Sequence, residues 1–195
     1  MRNKKIWKDK MWIVSILYFS LGFFNIIFAW FGMICFLVPI MMSLFGKEKK
    51  FCNDYCGRGQ LFTLLGTNRG MSLNKKLPAF LRSKWFRYGF LLFFTTMFLN
   101  MLFATWAVFS GGTDINESIR FLWTFDLPWK WANRVGKSVP LWTVQFAYGF
   151  YSLMLTSLIL GLLSMVIYRP RSWCVYCPIG TATQMICKIK EGEKL

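Results

Sequence analysis

Histidine is absent from the 195 residues, and that gap removes whole classes of chemistry. A His-ligated haem, a Ser-His-Asp triad and a Cys/His zinc finger all need an imidazole. Acidic residues are scarce as well, with 8 Asp and Glu against 24 Lys and Arg. The polar surface is therefore basic. What the chain has in excess is apolar surface, at 55% of its residues, the composition of a membrane protein rather than a soluble domain. Six cysteines are the soft, redox-capable groups, so any metal chemistry runs mainly through sulfur.

Three stretches carry no Asp, Glu, Lys or Arg: residues 11–46, 88–113 and 138–168. Each exceeds the ~20 apolar residues that cross the hydrocarbon core. The second and third read as one helix each. The first is long for one helix and short for two crossings, and charge decides between them. Residues 1–10 carry five basic groups and one acid, and residues 47–87 carry ten and two. Both segments belong on the cytoplasmic side. Residues 114–137 are nearly balanced and lie outside, and the tail after 168 is basic and lies inside. An inside N-terminus then needs two short or re-entrant segments within 11–46, bending near Asn25–Gly32 with Pro39 disturbing the second half. One long kinked helix is the alternative. The N-terminal lysines and apolar run resemble a signal peptide, but the run is too long and lacks a small-x-small cleavage site, so it is read as retained.

The expected fold is thus all-α, a polytopic helical membrane protein of about four segments. It forms a single domain over 1–195 with two halves, 1–87 and 88–195. Aromatic residues Phe121, Trp123, Phe125, Trp129 and Trp131 in the outer segment read as interfacial anchors. Most of the methionines lie in the spans and read as packing rather than as copper ligands.

Each half contains a cysteine motif. Phe51-Cys52-Asn53-Asp54-Tyr55-Cys56-Gly57-Arg58-Gly59 and Trp173-Cys174-Val175-Tyr176-Cys177-Pro178-Ile179-Gly180 share the scheme aromatic, Cys, spacer, Tyr-Cys, Gly or Pro, any residue, Gly. Both follow an apolar span with a basic edge, and the pattern reads as an internal repeat. A pseudo-twofold arrangement would bring Cys52, Cys56, Cys174 and Cys177 together at the inner face. Four thiolates complete a coordination set for iron–sulfur or zinc. The glycines allow close backbone approach, and Arg58, Arg169 and Arg171 can offset a cluster's negative charge. Cys35, inside the first apolar run, reads as a small core residue. Cys187 stands between spectator and auxiliary ligand. A thioredoxin-like dithiol needs a βαβ setting that a membrane edge does not offer, and a structural zinc site remains an alternative. Disulfides are not expected on the cytoplasmic side.

On these two motifs the chain resembles the membrane 4Fe-4S-binding proteins related to the electron-transfer subunit of periplasmic nitrate reductase and the nitrous-oxide reductase maturation regulator. The family pattern is several membrane helices with two Cys-x-x-x-Cys-Pro motifs at the cytoplasmic face. Cys52 and Cys56 match the first pair, and Cys174, Cys177 and Pro178 the second. Gly57 stands where the first motif has proline, and the second spacer is one residue shorter.

The resemblance implies a multi-pass cell-membrane protein that holds an iron–sulfur cluster of the [4Fe-4S] type on its cytoplasmic side. Such a protein would pass electrons from a ferredoxin- or flavodoxin-like donor to a membrane or extracytoplasmic partner. No residue set points to a self-sufficient enzyme, and nucleic acid is not an expected partner. The alternative is a maturation or metal-handling factor that binds Zn or Cu(I) through the same four cysteines. The basic loop 47–87 reads as a solvated, lipid-attracting surface, or as a docking patch for an acidic redox protein.

Overall fold

The computed structural model describes residues 10–45, 55–111, 119–121, 125–127 and 139–190. Among them helix dominates. Cys52 and most of the aromatic outer segment lie outside the described residues.

The first apolar run breaks within the window where the sequence placed a bend. Helix α1, Met11–Phe24, ends at Asn25, which is extended (φ −146°, ψ 118°). Its side-chain oxygen accepts the Ile27 N–H at 3.1 Å, as an Asn N-cap does. A 3-10 turn, Ile26–Trp30, follows and leads into α2, Phe31–Phe45. Pro39 sits inside α2, and the helix continues past it. After the first cysteine motif come α3, Gly57–Thr63, a π-helical turn, Leu64–Asn68, and the short α4, Ala79–Arg82. Helix α5, Lys84–Phe109, is followed by an antiparallel ribbon of β1, Ile119–Phe121, and β2, Phe125–Leu127, with Arg120 opposite Asp126. Helix α6, Leu141–Ile167, then leads to α7, Trp173–Tyr176, and α8, Pro178–Lys190.

Three stretches are long and apolar enough to cross a membrane: Ile26–Phe45, Lys84–Phe109 and Leu141–Ile167. Helix α1 has 14 residues and rises about 21 Å, short of the ~30 Å hydrocarbon core. The chain is therefore a multi-pass helical membrane protein by length and composition. Hydroxyls within the long helices bond back one turn, as with Thr156 to the Ser152 carbonyl and Ser164 to the Leu160 carbonyl. That satisfies them where no water can. Of the three spans, α6 is the most buried in protein, at 56% against 17% for α5. Helix α5 exposes Leu92, Leu99, Phe103 and Trp106, side chains suited to lipid.

The chain folds into two compact units, and neither coincides with a sequence half. One unit takes residues up to Ser15, Cys35–Phe93 and the chain from Ile159 onward, while the other takes Ile16–Ile34 and Phe94–Leu158. In the second unit, Tyr151 lies against Gly22, where a Cβ would stand 2.9 Å from its Cδ2, and its hydroxyl donates to the Phe19 carbonyl at 2.9 Å. Gly32 is likewise closed over by Phe150, and Trp30 packs on Phe146 with ring centroids 4.6 Å apart.

In the first unit, the Phe62 ring occupies the space that a Gly161 side chain would need, with Cε2 2.7 Å from the Cβ position. This seats α3 on α6. Gly66 takes Pro170 in the same way, at 3.0 Å from its Cβ. Trp173 and Tyr176 pack edge-on to Phe90, with centroids 5.7 and 5.5 Å away, and Tyr176 bonds the Ser164 hydroxyl. Arg87 donates to the Gln184 side chain and so ties α5 to α8.

Candidate metal centre

The second cysteine of each motif stands immediately before a helix. Cys56 is the N-cap of α3, with extended backbone (φ −68°, ψ 102°). Cys177 (φ −53°, ψ 128°) precedes Pro178, the first residue of α8. Proline is suited to that position because its missing N–H has no helical partner there. The Cys177 sulfur accepts the backbone N–H groups of Ile179 and Gly180. The Cys56 side chain makes no such cap hydrogen bond.

Gly59 and Gly180 hold equivalent places, three residues beyond those cysteines. The sulfurs of Cys56 and Cys174 each stand 3.7 Å from the position of a Gly59 Cβ. The first motif therefore meets the second across one bare backbone position. At Gly180 the same construction finds the Cys174 carbonyl and the Cys177 Cβ, each at 3.7 Å.

These residues line one cavity of about 50 Å³ within the first unit, several times the ~10–15 Å³ that a single water needs. Cys56, Cys174 and Cys177 line it as the motifs led one to expect, and Cys35 of α2 joins them. Sequence analysis places Cys35 as a small core residue, and the structure places it on the cavity wall. The available signal was its position one helical stretch before the basic edge, on the same run that leads into the first motif. Cys187 is buried in α8 and lines no part of the cavity, and Cys52 lies outside the described residues. None of the five described cysteines is in a disulfide.

Of the three arginines offered as counter-charges, only Arg58 enters the cavity lining. Its guanidinium donates to the Cys35 sulfur. Burial works against its charge, but the sulfurs of Cys35, Cys56 and Cys177 outweigh that and hold its pKa above the ordinary value. Burial also pushes the Cys177 thiol up, against the opposing pull of Arg58 and the Gly180 and Ile179 amides. Arg169 and Arg171 are exposed, and Arg171 Nε donates to Thr63 Oγ1 at 3.0 Å. Pro39, Trp173 and Ile179 complete an apolar wall.

Among the described residues, no group of three or more His, Cys, Asp or Glu side chains is arranged to hold a single metal ion. Cys35, Cys56, Cys174 and Cys177 share the lining of the cavity. The chain matches no family model, no curated protein and no solved structure.

Proposed function

We propose that this protein is an integral membrane iron–sulfur protein that carries electrons between a cytoplasmic donor and a membrane-associated partner. One observation carries the reading: cysteines from both motifs line a single cavity together with Cys35 and an inward-turned arginine. Cys56, Cys174 and Cys177 would hold a [4Fe-4S] cluster, with Cys35 or Cys52 as the fourth thiolate. Such a cluster supplies one-electron transfer when bound.

The chain's own residues set the conditions for it. Arg58 places positive charge against the sulfurs, and the Ile179 and Gly180 amides donate to Cys177. Hydrogen bonds of this kind and nearby charge tune a cluster's potential. Gly59 keeps the space between Cys56 and Cys174 free of side chain. The apolar wall limits water.

Zinc would draw four donors onto one point and a cluster would spread its thiolates over separate irons, so metal analysis separates the two readings. The cytoplasmic placement of the motifs and the four-segment count belong to the same proposal. Their support is the path of the chain. It leaves the first unit after Ser15 and returns at Cys35, then leaves after Phe93 and returns at Ile159. Met11–Ser15 of α1, Cys56 and the second motif therefore share one unit, which the proposed common face would require. The repeat reading is supported by the matching places of Cys56 and Cys177, and of Gly59 and Gly180.

Anaerobic purification followed by iron and sulfide analysis tests the proposal. Brown protein that bleaches on reduction, and that loses its iron in Cys56→Ser and Cys177→Ser, is the expected result. Colourless protein with stoichiometric zinc would replace this reading with the metal-handling one.

A further inference from the structure

We propose that a second site, distinct from the cysteine cavity, binds the phosphate of an anionic phospholipid. Lys76 and Arg82, from the segment before α5, meet Arg169 and Arg171, from the segment just after α6, around a pocket of about 600 Å³. That volume is in the range of small-ligand sites. Ser172 holds the Arg169 backbone in place, its hydroxyl donating to the Arg169 carbonyl and accepting the Arg169 N–H, each at 2.8 Å; Leu77 and Val175 contribute apolar surface, and none of these residues lines the cysteine cavity.

Depth in the membrane identifies the ligand. Ile167 ends the span α6, and Arg169 and Arg171 follow it by two and four residues, so the pocket opens at headgroup level. The loop that brings Lys76 is pinned to the same helix end. The Leu73 N–H donates to the Val166 carbonyl at 2.9 Å, and the Ser72 hydroxyl donates to the Tyr168 carbonyl. Asn74, with φ 51°, turns the backbone just before Lys76.

Four like charges around one concavity repel one another, and a phosphate relieves that repulsion while accepting the forked N–H groups of arginine. Basic pockets at the ends of membrane helices take lipid headgroups by this chemistry. A lipid fits better than a soluble acidic protein because the surface is concave and has apolar residues beside the charges, where the glycerol and first acyl carbons would lie.

The full chain in neutral detergent is to be titrated with phosphatidylglycerol, phosphatidylcholine or inorganic phosphate, and bound lipid counted by native mass spectrometry. Phosphatidylglycerol should be retained in preference to phosphatidylcholine. The double variant Lys76→Gln/Arg82→Gln should weaken it about 30-fold, from about fivefold for each charge that lines the pocket. Lys84→Gln, an exposed position outside the pocket lining, should leave retention unchanged. Arg169→Gln, on the other side of the pocket, should weaken retention in the same direction and replaces the double variant if that protein folds poorly. Equal retention of the two lipids, or retention unaffected by the pocket variants, would overturn the proposal. So would full competition by inorganic phosphate at matched concentration, which would make the pocket a soluble-anion site.

Discussion

The guanidinium of Arg58, one residue into α3, donates a hydrogen bond to the sulfur of Cys35 in α2. A residue inside an apolar span is thereby joined to the first cysteine motif.

That link makes Cys35 the informative position for mutagenesis. Cys35→Ser is expected to lower iron per chain to below half of the wild-type value, whereas Cys187→Ser, outside the cavity lining, should leave it unchanged. Colorimetric iron assay of anaerobically purified protein reads the difference. Equal iron in Cys35→Ser and wild type would leave Cys35 as a packing residue.

Removing the Arg58 charge should lower the potential of a bound cluster, since a nearby cation favours the reduced, more negative form. Arg58→Gln is expected to shift the EPR-monitored midpoint downward, and Arg58→Lys should recover part of the shift. An unchanged midpoint in Arg58→Gln would place the guanidinium's influence elsewhere.

In metal-free protein, burial holds the Cys177 pKa above its ordinary value despite Arg58 and the two amides. The thiol form is then favoured in the folded state, and the thiolate, the reactive species, accumulates later than in the unfolded chain. Iodoacetamide labelling of Cys177 should therefore begin at a pH above the range where an unperturbed thiol ionises. Denaturation should move the rise to lower pH. The stability that this group contributes is present below the unfolded pKa and is lost as pH climbs through the folded one.

Two glycines separate packing from chemistry. At Gly161 an alanine Cβ would press on the Phe62 ring and lie 3.3 Å from Trp173 Cγ, so Gly161→Ala should cost about 1–3 kcal/mol of stability by overpacking. Gly59→Ala meets only ordinary contacts at 3.7 Å and should keep the wild-type melting temperature. Its methyl nevertheless stands 3.7 Å from each of two candidate ligand sulfurs, and lower iron loading is expected. Thermal unfolding in detergent and iron content, measured on both variants, would show whether the two effects separate.

In the other unit, Tyr151→Phe removes the hydroxyl that donates to the Phe19 carbonyl at 2.9 Å. A loss of about 1 kcal/mol follows from one such bond, readable as a lower melting temperature with iron content unaltered.

Much of this protein is visible in local patterns. The uncharged runs located the long helices because crossing hydrocarbon demands an unbroken apolar length. The length of the first run and the charge on either side of it put a bend near Asn25–Gly32, and the Asn25 side chain caps the 3-10 turn there. Cys56 and Cys177 were picked out by spacing, and both stand at helix starts.

The cysteine at position 35 looked like any small residue in an apolar helix, and its place in the cavity depends on chain segments far from it in sequence. The same holds for Arg58 over Arg169 and Arg171, three arginines that composition treats alike. Sequence alone determined the membrane class, the basic edges and the pair of dithiol motifs, since each depends on neighbouring residues and local length. Only the tertiary structure decided which sulfurs and which guanidinium share a cavity. That outcome rests on distant close-packing, such as Phe62 against the bare backbone of Gly161, which brings α3 and the chain after α6 together.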